Sequence, residues 1–456
     1  MTGTAVPQLR ILGDVTGKTS LASYRAALTS PGMLRPVLSS LLARLPVAMV
    51  GFSVLLYVQR VTGSFATAGL VGAGSLIGVA IGSVAQGRII DRYGPTWPLL
   101  VATALFAAAI TGLVLSVESG APTVAMTAIA VLAGLSQPQV ASSSRSLWTR
   151  VLPSGPSREA AYAYEAISME VFFIIGPGFA GVMVALPWPG LGVVVSAVMM
   201  VLGSVVFALS PVVRAWGPAE HKARRRMLGA LVSPGMRTLV IAAVGFGVVV
   251  GFVEVAVPAA ATAVGQRTLG GLLLSLWSLS SVLFGVLYSI HPFPRSVPLR
   301  LPVLLGAFSL CVGALALPTS LAPESMLALG LSMILAGMLI TPQSTTHSSV
   351  IEQVAPRGTV TEAFGWVVTA VTLGLSAGHS LSGQVVEAFG PPWSFVCALV
   401  VGLVLATVVF LRRRTMSPTA EVVELRTDAG LGGPPERGVD VGVDQLDDLS
   451  RSGLRA

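Results

Sequence analysis

Val151-Leu152-Pro153-Ser154-Gly155-Pro156-Ser157-Arg158-Glu159-Ala160 returns 203 residues later as Val354-Ala355-Pro356-Arg357-Gly358-Thr359-Val360-Thr361-Glu362-Ala363, identical at five of ten positions. The same offset carries Leu132-Ala133-Gly134 onto Leu335-Ala336-Gly337, and a one-residue gap then brings Gly176 and Gly181 onto Gly378 and Gly383. Glycine and alanine are abundant in the chain, but one offset shared by separate segments in the same order favours duplication over coincidence. Each copy joins the end of one apolar run to the start of the next. The repeated unit is therefore half of an array of hydrophobic helices.

Composition says what surrounds that array. Of 456 residues, 53% are apolar and 11% charged, where a soluble domain carries about 25% charge. A mean hydropathy of +0.82 leaves too little polar surface for a water-soluble body, so lipid is the solvent. Gly and Pro fall inside apolar runs without a period, which excludes collagen-like and disordered classes. A crossing needs about 20 mostly apolar residues. Twelve such spans are predicted, near 38–62, 64–90, 97–117, 121–148, 160–186, 188–212, 236–262, 268–290, 299–318, 323–349, 361–388 and 391–412. The expected organisation is a segment 1–37, a six-helix bundle 38–212, a central loop 213–235, a second six-helix bundle 236–412 and a disordered tail 413–456. The fold class is thus an all-α integral membrane protein of two pseudo-symmetric six-helix bundles. Halves related by an axis along the membrane normal place a site between them, near mid-bilayer.

Charge sets the orientation. The net charge is +8 and the pI about 10.2, which in a soluble protein suggests nucleic acid. Residues 415–456, however, hold four Arg against eight acids, so the remainder carries +12. Its basic residues cluster between apolar runs, as Lys222, Arg224, Arg225 and Arg226 do, without the aromatic interleaving that stacks bases. No nucleic-acid partner is expected on that ground. With both termini inside, the outer loops hold only Arg60 and Arg267, and setting aside Arg44 and Arg145 within spans leaves 24 of 28 basic residues on the cytoplasmic side. A multi-pass cell-membrane protein with both termini cytoplasmic is expected. Trp97, Trp188, Trp216 and Trp393 fall near predicted span ends, where indoles favour the interface. The first 35 residues include Asp14 and lack a continuous apolar h-region, so the first hydrophobic run is expected to direct insertion. Cys311 and Cys397 sit inside apolar runs as small hydrophobes.

After span 2 comes Gly87-Arg88-Ile89-Ile90-Asp91-Arg92-Tyr93-Gly94. Gly87 lets helices approach, Asp91 can accept from a neighbouring helix N-terminus, and Gly94 permits a tight reversal. This resembles the G-x-x-x-D-R-x-G signature of the major facilitator superfamily, at its place between spans 2 and 3. The resemblance implies a loop that latches the two bundles on the cytoplasmic side through Gly87, Asp91, Arg92 and Gly94. Here Pro95 and Thr96 stand where the signature continues with basic residues, which implies a weaker latch. Span 5 carries Gly176-Pro177-Gly178-Phe179-Ala180-Gly181, similar to the G-P-x-x-G-G motif of the family's exporters and antiporters, with Ala180 in place of one glycine. That likeness implies efflux through Gly176, Pro177 and Gly181. A packing groove of small residues is the competing account of the same run. The Arg that the family's drug and proton antiporters often carry early in span 4 has no counterpart in Thr127–Gly134.

Ionisable side chains inside hydrocarbon cost about 2.5–3.5 kcal/mol each on insertion scales, so they face a cavity or a partner. At 1.5 Å per residue, Arg44 lies roughly 10 Å into span 1, Arg145 within about 5 Å of the end of span 4, and Glu165 about 8 Å into span 5. The three share one leaflet and are expected to form a charge cluster at the inner mouth, with snorkelling to headgroups as the alternative for Arg145. Glu170, about 15 Å into span 5, lies near the midplane and is the first candidate for a proton or substrate-cation site. Glu254, about 24 Å into span 7, is the second, and Glu165 is the third proton-coupling candidate. Low dielectric disfavours a bare carboxylate, which suits either acid to exchanging a proton, while a protonated Glu bonded within a helix pair is the structural alternative. Glu165 and Glu170 are five residues and about 140° apart on a helix, so they cannot form a catalytic dyad. Glu159 and Glu362 start spans 5 and 11, where negative charge offsets the helix dipole. Glu387 reads as interfacial. His379, in span 11, reads mainly as a structural donor, with proton exchange as the alternative, and His347, near a span end, is less informative.

No enzyme pattern survives inspection. The G-x-x-x-x-G-K-[ST] cradle, C-x-x-C and H-E-x-x-H are absent, and no acidic cluster suits a metal. Neither metal nor cofactor is expected. The resemblance implies a secondary transporter whose partners are a small-molecule substrate, protons and the lipid bilayer, and which exports an amphiphilic compound by proton exchange. Nutrient uptake or facilitated diffusion is the alternative within transport, and a non-transporting membrane sensor the alternative outside it.

Overall fold

A computed structural model describes residues 30–153, 156–216, 229–290, 297–356 and 359–416, together with Arg25 and Leu28. Among them twelve helical spans are long and apolar enough to cross a membrane. They are Leu34–Thr62, Phe65–Tyr93, Thr96–Glu118, Thr123–Val151, Ala160–Val184, Leu191–Ala208, Pro234–Ala263, Arg267–Gly285, Pro298–Leu321, Met326–Ile351, Glu362–Phe389 and Pro391–Leu411, numbered 1 to 12 in that order. Most of the segments 1–37 and 213–235, and nearly all of the tail 413–456, lie outside the described residues. Twelve crossings put Leu34 and Leu411 on one side, the terminal face; the other is the distal face.

Local chemistry sets the turns. Span 1 ends where Gly63 takes φ 72°, and two residues later span 2 begins under Ser64, whose hydroxyl accepts from the Thr67 N–H at 3.0 Å. Gly94 (φ 79°) and Gly390 (φ 87°) turn the chain between spans 2 and 3 and between spans 11 and 12, in a backbone region that other residues enter only under strain. The distal ends of spans 1 and 3 are also anchored. Tyr57 Oη and Trp188 Nε1 both donate to Glu118 at 2.8 Å.

Two spans expected to be continuous are broken. Span 4 divides into Thr123–Ser136 and Val140–Val151, because Pro138 lacks an N–H and drives Gln137 out of the helical region, to ψ 117°. Gln86 of span 2 donates to the loosened carbonyls of Leu135 and Gln137 at 2.9 and 3.0 Å, which satisfies them within the span. Span 10 divides into Met326–Gly337 and Ile340–Val354, within a turn of the matching position in the repeat.

Helix neighbours repeat as the sequence does. Span 1 packs on spans 2, 5 and 6, and span 7 on spans 8, 11 and 12; span 2 packs on span 4 as span 8 does on span 10. Spans 3 and 9 pack against 6 and 12. Lipid offers no hydrophobic drive for helices to associate, so backbone proximity between small residues does the work. A Cβ on Gly78 or Gly82 of span 2, or on Gly134 of span 4, would run into the facing helix's carbonyl oxygens. Exposed apolar side chains such as Val124 (81%) and Leu327 (75%) suit lipid contact and would be liabilities in water.

Candidate transport site between the bundles

The bundles meet through two contacts that are copies of each other. In one, span 5 crosses span 8: a Cβ on Gly181 would stand 3.0 Å from the Gly271 Cα, and one on Gly271 would stand 2.9 Å from the Gly181 Cα and strike the Pro177 carbonyl. In the other, span 2 crosses span 11: a Cβ on Gly69 would strike the His379 carbonyl, and one on Gly383 the Phe65 carbonyl. Gly69 and Gly271 are separated by 202 residues, as are Gly181 and Gly383. Both crossings lie in the distal halves of their spans. There Glu387 also accepts from the Ser64 hydroxyl at 2.8 Å and the Ala66 N–H at 3.1 Å, and Ser376 donates to the Ala73 carbonyl at 2.9 Å. The sequence pairing of Gly181 with Gly383 signalled one residue of each contact; their partners Gly271 and Gly69 were missed, although the same offset finds them.

The residues expected to form a latch lie toward the terminal face. Asp91 and Arg92 are exposed. Asp91 makes no hydrogen bond or ion pair among the described residues, Arg92 stacks over Tyr93 with its guanidinium carbon 5.2 Å from the ring centre, and a Cβ on Gly87 would meet nothing. Gly94 serves the turn. Among the described residues, the hydrogen bonds and glycine contacts that join the bundles lie toward the distal face.

Glu254 and His379 come together just inside the distal contact. Nε2 of His379 lies 2.7 Å from Oε2 of Glu254, with the His side chain 5% and the Glu side chain 31% exposed. The sequence reading singled out both but did not pair them. Close packing of span 7 on span 11 sets their approach, since a Cβ on Gly251 would strike the Leu375 carbonyl and stand 2.9 Å from the Gly378 Cα.

Arg44 and Glu165 form a buried ion pair inside the first bundle. Arg44 Nη1 also donates to Ser168 at 2.9 Å; Ser144 Oγ and Trp148 Nε1 donate to Glu165 at 2.8 and 2.7 Å. Such bonds satisfy charges that burial would otherwise penalise heavily. Arg145 stays out of this cluster and is exposed. Its neighbour Ser144 takes the inward face, and one residue turns the helix by about 100°. Glu170 is likewise exposed and has no hydrogen bond or ion pair among the described residues. It stands seven residues before Pro177, two turns away on the side of span 5 that meets span 8. Glu362 accepts from the Ala230 N–H and from Trp366 Nε1, both at 3.3 Å, at the start of span 11. The Glu159 side chain lies outside the described residues. His347 is buried against Phe246, with ring centres 5.9 Å apart. A groove of about 390 Å³ between spans 2, 4 and 11 is lined chiefly by Leu70, Ile77, Val131 and Leu373. Among the described residues no cluster could hold a metal, and both cysteines are free thiols.

A membrane protein of twelve spans, built as two copies of one bundle joined through matching contacts near one face, has the architecture of a secondary transporter. Residues 37–378 match the Major Facilitator Superfamily, and the chain belongs to that superfamily. No curated protein matches the chain by sequence. Among solved structures it is similar to the nucleoside transporter NupG (TM-score 0.68, 14% identity, covering 83% of this chain and 99% of that one). It is also similar to a bacterial homologue of the iron transporter ferroportin in an inward-facing state (0.66, 15%, 86% and 99%). A third likeness is to a bacterial homologue of the human lysosomal transporter Spinster, inward-facing and occupied (0.65, 15%, 86% and 97%). At these identities the likeness is one of fold. The protein is a transporter of that superfamily.

Proposed function

We propose that this transporter exports a small amphiphilic compound from the cell in exchange for protons, by alternating access. It sits in the cell membrane with both termini cytoplasmic, so that the distal face is outside and the conformation described is open toward the cytoplasm. The observation that carries the reading is the Glu254–His379 pair: a partly exposed carboxyl, deep in a span, bonded to an imidazole that belongs to the distal contact. An acid so placed can hold a proton from one side and yield it to the other as the contact changes. Glu170, unpartnered on the side of span 5 toward span 8, is the site for a cationic part of the substrate. Glu165 is the remaining proton candidate, but its ion pair with Arg44 fits it better to holding spans 1, 4 and 5 together. The Gly87, Asp91, Arg92 and Gly94 loop latches the cytoplasmic side in the opposite conformation, and Gly176, Pro177 and Gly181 support the distal closure.

Vesicles containing the purified protein test this with ethidium and tetraphenylphosphonium as probe cations. An acid-inside gradient is expected to drive their accumulation at least fivefold above protein-free vesicles, with collapse on adding a protonophore. Equilibration that ignores the gradient overturns proton exchange in favour of facilitated diffusion. Accumulation under the reverse gradient overturns it in favour of proton-linked uptake.

A further inference from the structure

We propose that His379 is a proton relay: it carries protons from distal water through the distal contact to Glu254, entering at Nδ1 and leaving at Nε2. The inference rests on the reading of this chain as proton-coupled.

The two ring nitrogens serve different compartments. Nε2 is bonded to Glu254, the pair's exposed member. Nδ1 is buried and has no hydrogen-bond partner among the described residues. It faces the other bundle, where a Cβ on Gly72 of span 2 would stand 3.0 Å from it. A neutral imidazole has one donor and one acceptor nitrogen. With no acceptor before Nδ1, the proton resides on Nε2 and is donated to Glu254. The carbonyl of the same residue abuts Gly69, so any separation of spans 2 and 11 uncovers the ring. Closed, the contact keeps Nδ1 from water and protons from leaking. Open, it presents a free lone pair to the distal solution.

No other ionisable side chain on a span packed against span 11 stands at the level of His379. Span 2 has none from Phe65 to Gln86, and span 12 has only Cys397. Span 7 adds only Arg237 near its terminal end, and span 11 has Glu362 and Glu387 near its two ends. Span 10 meets span 11 through its terminal half, which carries His347 and Glu352.

The step balances. One proton from distal water bonds to Nδ1 as the Nε2 proton passes to the Glu254 carboxylate, leaving a neutral imidazole and a neutral carboxylic acid. After the contact closes, Glu254 releases its proton to terminal-side water. When the contact next opens, distal water takes the Nδ1 proton and returns one to Nε2, which restores the starting tautomer with no net proton moved.

A measurement that needs no substrate tests this. Vesicles containing the full chain are adsorbed on a solid-supported electrode, and the transient charge displacement after a pH jump is recorded. The wild type is expected to give a transient that Glu254→Gln abolishes. His379→Gln keeps an N–H for Glu254 but cannot pass a proton on, and should reduce the transient at least tenfold. An undiminished transient in H379Q overturns the relay. A wild type with no transient overturns the proton-coupled reading itself. Should H379Q fail to fold, judged by its thermal unfolding, His379→Ala with imidazole in the buffer decides: recovery of the transient on adding imidazole supports the relay, and no recovery overturns it.

Discussion

Gly181 and Gly271 meet backbone to backbone, each leaving less than a side chain's width for the other. Their repeat-related counterparts Gly383 and Gly69 do the same on the far side of the pathway. The duplication thus built two matching contacts, and on the proposed alternating-access reading both part when the distal face opens.

Enlarging either glycine should disfavour the distally closed form. Gly271→Val puts three carbons where the Pro177 carbonyl already stands, a strain of about 1–3 kcal/mol. Thiol labelling of Ser275→Cys from the distal side, in protein lacking Cys311 and Cys397, should quicken about tenfold in G271V. Labelling unchanged by the valine would mean that the crossing does not hold the face closed.

The Arg44–Glu165 pair should matter for stability through what remains when one partner goes. Either R44Q or E165Q leaves a buried charge alone and should cost about 3–5 kcal/mol, seen as a large fall in Tm in detergent. The double variant R44Q/E165Q should recover most of that loss. Equal Tm values for the three variants would contradict the pairing.

Glu170→Gln should behave differently. The side chain is exposed and unpartnered, so the change should alter stability by about 0.5 kcal/mol or less. The KM for ethidium should rise about tenfold while the pH-jump transient persists. Loss of the transient with unchanged KM would give Glu170 the proton role instead.

Much of this was legible in the sequence because hydropathy is a local property: the twelve spans follow from run length alone. The duplication was legible too, and more fully than the reading from Val151 onward used, since Ser30-Pro31-Gly32-Met33 recurs as Ser233-Pro234-Gly235-Met236 at the same offset of 203. Span breaks were harder. Pro138 was visible, but whether a proline kinks or divides a membrane helix depends on a neighbour such as Gln86 taking up the freed carbonyls. Side-chain direction was hardest of all. Depth along a span put Arg44, Arg145 and Glu165 in one leaflet, yet angle around the helix decided that only two of them meet. Glu254 and His379 stand 125 residues apart, in spans whose packing no local pattern specifies.

The most direct test of alternating access joins Ser64 and Glu387, which bridge the bundles at 2.8 Å. The double variant S64C/E387C, in a chain whose Cys311 and Cys397 are replaced by Ala, is oxidised and its gradient-driven ethidium accumulation measured. The account predicts a disulfide that reduces accumulation at least tenfold, with recovery on reduction. A cross-linked protein that accumulates ethidium as fast as its reduced form would contradict it.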